Sequence, residues 1–160
     1  FLFQSKTRFW EDAGLSGIAR TDQPAEIWDS SYDVPATAGL LGANVGGRLG
    51  ASLSGMPRSQ ALEIGKALVT KTFPELQRTY QKAIVYRWEL DPWSRGGFAV
   101  FHPGQMSAMM PDIARAEDRL HFAGEHTSHW MGWMEGALES GERAAREVLS
   151  HAAGRVDIPS

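Results

Sequence analysis

The 160-residue sequence predicts an α+β or α/β fold, and three observations support this prediction. Short alternating or apolar runs, each ended by Gly, Pro or Asp, are typical of strands. One run, from Pro57 to Thr72, repeats apolar residues at helical spacing after an initial proline. A second helical pattern, from about Trp133 to His151, follows a short apolar strand and a Gly-Glu turn. Because both element types are interspersed along the chain, a mixed fold is expected.

In the first half of the chain, strands outnumber helices. Phe1, Phe3 and Ser5 alternate with the residues between them, which predicts a strand over 1–9 that the Phe9-Trp10-Glu11-Asp12 segment ends. Further short strands are expected at 18–21, 26–30 and 39–45, separated by Gln23-Pro24, Val34-Pro35 and Gly46-Gly47 turns. A short helix is expected over 48–53, ahead of the longer one at 57–72.

The second half begins with a turn of helix over 74–80 and an alternating strand over 82–88. A loop rich in Pro, Trp and Gly follows at 91–97, and helical turns at 106–116 are expected to be broken by Pro111. The last elements are a strand at 120–123, the closing helix and a frayed tail. Of the three tryptophans Trp10, Trp88 and Trp93, we expect two to lie in a core.

Composition excludes several classes of partner. The net charge of -3 and the pI near 5.9 argue against nucleic acid and anionic membrane surfaces. No apolar run reaches the length of a transmembrane helix, so no membrane partner is expected. The chain has no cysteine, which excludes disulfides and thiolate metal sites.

The segment from Arg119 to Val148 carries the most specific chemistry. A short apolar strand, with Leu120, Phe122 and Ala123, delivers the carboxylate of Glu125 at its end. A helix then opens on Gly132-Trp133-Met134, and its N-terminus presents unpaired N–H groups and positive dipole. A carboxylate suits sugar-like hydroxyls and a helix N-terminus suits a delocalised anion. Together they suit a flavin.

The same segment resembles the C-terminal flavin-binding motif of the flavin amine oxidases, especially those of L-amino acid oxidase type. The matching pieces are Phe122-Ala123-Gly124-Glu125-His126-Thr127, Gly132-Trp133, Ser140-Gly141 and Ala144-Ala145, in that order, with Phe9-Trp10-Glu11-Asp12 near the start. The resemblance implies the C-terminal part of a two-domain flavoprotein oxidase. Residues 1–88 are then part of a mixed-sheet substrate-binding domain, 89–150 the C-terminal part of the FAD-binding domain, and 151–160 a tail.

The resemblance also implies roles for single residues. Trp133 is the expected catalytic residue, as one wall of an aromatic cage that holds the substrate amine near the flavin ring. The Met134 N–H is expected to donate to the flavin pyrimidine edge, where negative charge develops on reduction. The expected cofactor-binding residues are Gly124, Glu125, Gly132, Trp133, Met134, Ala137, Trp88 and Gly97.

Glu125 is expected to bind a ribityl hydroxyl, with Gly124 allowing a close approach of the backbone. Phe98 and Trp28 are expected on the substrate side with Trp133, although Tyr32 is an equal alternative to Trp28 as second cage wall. No metal is expected, because His121, Glu125, His126 and His129 lack the His-Glu-x-x-His spacing. Ser52 and Ser54 likewise fall short of the Gly-x-Ser-x-Gly of hydrolases.

Two parts of the family pattern are not found in this sequence. The Gly-x-Gly-x-x-Gly turn that holds an adenine dinucleotide is absent, and the lysine that holds a water at flavin N5 would precede Phe1. A chain that begins inside a strand indicates a fragment of a longer precursor, although a numbering artefact also explains it. We therefore expect FAD to be bound with other chains of the same processed precursor, in an oligomer of processed protomers. The resemblance to secreted bacterial members of the family implies a secreted protein, with a soluble cytoplasmic one as the alternative.

The implied activity is oxidation of an L-amino acid by FAD and dioxygen, giving a 2-oxo acid, ammonia and hydrogen peroxide. L-glutamate is the first expectation for the substrate, and aromatic or basic amino acids are alternatives. A polyamine or monoamine oxidase and a non-catalytic interaction module remain the competing hypotheses.

Overall fold

A computed structural model describes residues 1–23 and 26–153, which form parts of two compact units. The first unit is Phe1–Arg95 and the second begins at Gly96. The assignment of residues 1–88 to a substrate-binding domain and of residues 89–150 to an FAD-binding domain stays a prediction. Most of the predicted tail lies outside the described residues. Within those residues, no helix combines the length and apolarity that crossing a bilayer requires.

The first unit is built on a five-stranded sheet. Its strands are β1 (Leu2–Ser5), β2 (Ala19–Arg20), β3 (Glu26–Asp29), β4 (Gly39–Asn44) and β5 (Tyr80–Ile84). They pair in the order β2-β3-β4-β1-β5, with every ladder antiparallel. The helices of this unit are α1 (Phe9–Asp12), α2 (Gly47–Ser54), α3 (Arg58–Thr72) and α4 (Leu76–Thr79).

The core of the first unit lies where the sheet meets α1, α3 and α4. The strand expected over 1–9 is β1, Leu2–Ser5, and its alternation buries Phe3 and Ser5. Trp10 is fully buried, and its indole N–H donates to an Asp29 carboxylate oxygen at 3.0 Å. The other core side chains, from β3, β4, α3 and α4 and the residue after α3, are Ile27, Leu41, Ala43, Val69, Phe73 and Leu76.

The second unit has two longer helices, α5 (Gln105–Ile113) and α6 (Met134–Ala153). Between them, residues 120–123 have no partner strand in the part of the chain that the structure describes, and Glu125–Thr127 form one 3-10 turn. One face of α6 is polar and packs against this turn, with Ser140, Arg143 and Glu147 at spacing i, i+3 and i+7.

Several sequence predictions are wrong in detail. Residues 120–123 are not a strand, because no described segment of the second unit pairs with them; the one bridge joins Glu117 to Leu120. α5 continues through Pro111 to Ile113, so the proline, which removes the hydrogen bond of its own nitrogen, does not end this helix. The last strand of the first unit ends at Ile84, and Trp88 begins a 3-10 turn instead.

The tryptophans also differ from expectation. Trp10 is in the core, but Trp88 is about half exposed and Trp93 is 94% exposed, so one of the three is buried rather than two. Trp88 and Trp93 follow the last strand in a segment of turns, and the described residues of this chain leave both side chains exposed.

Candidate functional site

The carboxylate of Glu125 joins two loops of the second unit. One oxygen accepts the Ala99 N–H at 2.6 Å, and the other accepts the Gly132 N–H at 2.8 Å. Gly132 lies two residues before α6, so the carboxylate sits beside the N-terminus of that helix. A carboxylate has about four lone-pair sites, and these two bonds leave acceptor capacity for hydroxyl groups. Glu125 therefore fits the predicted role of binding a ribityl hydroxyl.

Gly124 allows the sharp turn that brings Glu125 to this position. Its φ of +143° lies in the region that favours glycine, and a Cβ there would be 2.4 Å from the His126 ring. The requirement for glycine thus comes from the turn itself and from the imidazole that packs on it. The Thr127 N–H and hydroxyl both donate to the Gly124 carbonyl oxygen, at 3.0 and 2.9 Å, which closes the turn.

The first residues of α6 are held close to the preceding loop while their side chains stay exposed. The Trp133 N–H donates to the Trp130 carbonyl oxygen at 3.2 Å, and the Gly136 N–H donates to the Trp133 oxygen at 3.1 Å. Trp133 is 65% exposed and Met134 is 80% exposed. Within the described part of the chain, the Met134 N–H has no acceptor. This helix end fits the predicted donor to a delocalised anion, with Ala137 exposed one turn later.

Phe98 belongs to the same cluster. A Cβ on Gly132 would lie 3.9 Å from the Phe98 ring, which places that ring against the loop leading into Trp133. Ala99, the next residue, is the one whose N–H binds Glu125. Gly97 precedes them, and a Cβ on it would meet nothing within 4 Å. The second unit therefore brings together Phe98, Glu125, Gly132, Trp133 and Met134.

The two remaining candidates, Trp88 and Trp28, belong to the first unit. The Trp88 ring lies 4.4 Å from that of Tyr86, measured between ring centroids. Trp28 pairs with Gly42 across β3 and β4, and its indole covers the place that a Cβ on Gly42 would occupy. This contact gives Trp28 a packing role in the sheet. The alternative, Tyr32, is largely exposed, and the substrate-side role stays a prediction for both.

The turn that carries Glu125 is bound to α6 by Ser140, which belongs to the matching Ser140-Gly141 piece, and by Arg143, for which the sequence predicted no role. The Gly124 N–H donates to the Ser140 hydroxyl at 2.9 Å. Arg143 donates to the Phe122 carbonyl oxygen at 2.8 Å and to the Thr127 hydroxyl at 3.1 Å. Their spacing of three residues on a helix was the available signal, because it places both side chains on one face.

Glu147 completes this polar face. It accepts hydrogen bonds from His121 at 3.0 Å and from Arg143 at 2.8 Å, and these two contacts hold the pKa of Glu147 below its ordinary value. Across residues 1–23 and 26–153, no three His, Asp or Glu side chains are arranged to hold a metal ion.

A family model described as flavin containing amine oxidoreductase matches residues 1–149. An L-amino-acid oxidase of Siganus canaliculatus is 34% identical over 148 residues, which are 89% of this chain and 28% of that protein. The L-amino-acid oxidase BmooLAAO-I of Bothrops moojeni is 30% identical over 152 residues, 89% of this chain and 30% of that protein. This chain thus spans less than a third of the length of these relatives.

Solved structures of amine-oxidising enzymes share the fold. Cyclohexylamine oxidase from Brevibacterium oxydans IH-35A has a TM-score of 0.78 at 21% identity, over 95% of this chain and 35% of that one. Wild-type putrescine oxidase bound to putrescine has a TM-score of 0.76 at 20% identity, over 93% of this chain and 34% of that one. At such identities the likeness concerns the fold alone.

Proposed function

Because this chain belongs to the family of flavin-containing amine oxidoreductases, we propose that it is the C-terminal chain of an FAD-dependent L-amino acid oxidase. The observation that supports this most directly is the meeting of Glu125 with the N-terminus of α6, at 2.8 Å from the Gly132 N–H. Relatives that carry the name L-amino-acid oxidase, at 34% and 30% identity, favour amino acids as substrates.

The family resemblance, the mixed fold and FAD as cofactor are confirmed by the family match and by the shared fold. The chemistry that bound FAD supplies is two-electron oxidation of the substrate's C–N bond to an imine, with the electrons passed on to dioxygen. This chain contributes the groups around the cofactor: Glu125 for the ribityl hydroxyls, the Met134 N–H for the anionic edge, and Trp133 for the substrate side.

Each of these groups has a physical reason to act in that way. The Met134 N–H stabilises charge that is present only after reduction, so it lowers the barrier rather than merely tightening binding. The indole of Trp133 is exposed, rigid and apolar, and its face attracts a positively charged or partly charged amine. Glu125 is held by two backbone N–H groups, so it is already oriented before a ligand arrives.

The rest of the enzyme is proposed to be supplied by other chains of the same processed precursor, assembled as an oligomer of processed protomers. The face of α6 opposite Arg143 supports this, because its apolar side chains are exposed: Met134, Leu138, Val148 and Leu149. Apolar surface of this kind normally contacts protein. The covering chain would carry the dinucleotide-binding turn and the lysine that this sequence lacks. Secretion stays a prediction.

The test is to purify the enzyme that contains this chain without denaturation. We expect native mass spectrometry to show the 17.6 kDa chain together with a larger chain and FAD. We expect peroxide and ammonia from L-amino acids, L-glutamate first, and none from their D-enantiomers. Peroxide from putrescine or cyclohexylamine, but from no L-amino acid, would support the amine oxidase alternative. Colourless protein that takes up no FAD with its partner chains would support the non-catalytic module.

A further inference from the structure

Arg143 makes more contacts with the turn around Glu125 than any other α6 side chain described. Its Nη2 donates to the Phe122 carbonyl oxygen at 2.8 Å and to the Thr127 hydroxyl at 3.1 Å. Its Nη1 donates to the Ala114 carbonyl oxygen at 3.2 Å and to Glu147 at 2.8 Å. One guanidinium thus joins the residue after α5, the segment before Gly124 and the turn after it.

The contacts of Arg143 lie on both sides of Gly124 and Glu125. Phe122 precedes this pair and Thr127 follows it, and the Thr127 hydroxyl donates in turn to the Gly124 carbonyl oxygen at 2.9 Å. Ser140, three residues before Arg143 on the same helix face, accepts the Gly124 N–H. The backbone that carries Glu125 is therefore bound to α6 at several points by two side chains.

Glu125 extends this arrangement to the groups expected to face the ligand. Its carboxylate binds the N–H groups of Ala99 and Gly132, which lie beside Phe98 and Trp133 respectively. A shift of the turn against α6 would move the carboxylate, and with it both loops. The position of Phe98 relative to Trp133 thus depends on where α6 holds the turn.

We propose that Arg143 is a positioning residue for the flavin site, acting through the Phe122–Thr127 turn on Glu125. The proposal rests on the proposed function of the chain. A planar fork of donors suits this task, because carbonyl, hydroxyl and carboxylate oxygens are bound in fixed directions at once. A lysine ammonium is a single point charge and reaches only part of this set. Glu147, which also accepts from His121, holds the guanidinium in place.

The test uses the full enzyme with Arg143→Met and Arg143→Lys, and with Arg146→Met as the matched control. Arg146 lies on the same helix, is mostly exposed, and among residues 1–23 and 26–153 pairs only with the exposed Glu142. Apoenzyme is titrated with FAD, and the visible circular dichroism of the bound flavin is recorded at saturating FAD. Thermal unfolding of each apoenzyme is measured in parallel.

For Arg143→Met we expect the Kd for FAD to rise about tenfold or more, equivalent to about 1.4 kcal/mol, with an altered dichroism of the flavin band. Arg143→Lys should give a smaller rise of about threefold, as one ion pair with Glu147 is retained. Arg146→Met should bind FAD within about twofold of wild type. If Arg143→Met does not fold, the lysine variant decides by the same two measurements.

A lower unfolding temperature with unchanged Kd and unchanged dichroism would overturn the proposal, because it would show a scaffold role only. Wild-type enzyme that binds FAD while Arg143→Met and Arg143→Lys bind it equally well would contradict this inference alone. Wild-type enzyme that binds no FAD with its partner chains would contradict the proposed function, and this inference with it.

Discussion

Gly136, in the first turn of α6, sets two physical effects against each other. A Cβ built on it would lie 2.3 Å from the Trp130 carbonyl oxygen and 3.0 Å from its carbonyl carbon. A Cβ on Gly141, later in the same helix, would meet none of the described residues of this chain within 4 Å. Helix propensity favours alanine at both positions, whereas steric overlap opposes it only at Gly136.

The expected magnitudes differ in sign. Alanine in a helix is about 1 kcal/mol more favourable than glycine, so Gly141→Ala should raise the free energy of unfolding by about 0.5–1 kcal/mol. At Gly136 the Trp130 carbonyl must move by roughly 1 Å, and overpacking of this kind costs about 1–3 kcal/mol. The shift also weakens the Trp133 N–H bond to that oxygen, worth about 1 kcal/mol. The gain in helix propensity offsets about 1 kcal/mol of these two costs. The free energy of unfolding of Gly136→Ala should therefore still fall by about 1–3 kcal/mol.

Both variants are measured in the enzyme that contains this chain, by chemical denaturation at one pH and saturating FAD. We expect the midpoint to fall for Gly136→Ala and to rise or stay level for Gly141→Ala. FAD content should fall only in the first variant, since the displaced Trp130–Trp133 loop carries the Gly132 N–H that binds Glu125. Gly136→Ala that is as stable as Gly141→Ala would refute the reasoning.

Three further predictions concern single residues. Glu147→Gln should destabilise the protein above about pH 4.3, the ordinary carboxyl range. Because the pKa of Glu147 is lowered on folding, the difference in free energy of unfolding between wild type and Glu147→Gln should vanish as pH falls through the lowered value. Chemical denaturation between pH 3 and 7 measures this difference, and a difference that does not change with pH would contradict the prediction. Gly124→Ala places a Cβ at a φ of +143°, so the free energy of unfolding should fall by about 1–3 kcal/mol. Less FAD should be bound, which lower flavin absorbance per protein would show, and full FAD content would contradict this prediction. Trp133→Ala should lower turnover more than FAD content, with the exposed Trp93→Ala as control; equal losses would make Trp133 scaffold.

Sequence periodicity predicts the elements whose burial is decided locally. The apolar spacing over 57–72 corresponds to α3, and the alternation of Phe1, Phe3 and Ser5 predicts the strand β1. The prediction of a strand at 120–123 is wrong because a strand needs a neighbouring strand to pair with, and its own residues do not specify that neighbour. Trp88 was misplaced similarly, because a large apolar residue does not reveal whether a face is available to cover it.

The sequence likewise predicts one part of the candidate site and misses another. The order of Gly124, Glu125, Gly132 and Trp133 along the chain predicts a carboxylate near a helix N-terminus, and the two do meet. The Ala99 N–H could not be predicted as a partner, because it precedes Glu125 by 26 residues in a loop without periodicity. Arg143 was missed since an arginine on an amphipathic helix is usually solvated.

The two faces of α6 explain how a short chain can carry a well-defined part of a larger site. Its polar face binds the Glu125 turn through Ser140 and Arg143, and these contacts lie wholly within the second unit. Its opposite face exposes Leu138 and Leu149. The hydrogen bonds that hold Glu125 at the helix N-terminus therefore lie within this chain, whereas the exposed face of α6 is where the proposed partner chain would bind. A break in the chain elsewhere would then leave the local arrangement of the site intact, as the proposed assembly from processed chains requires.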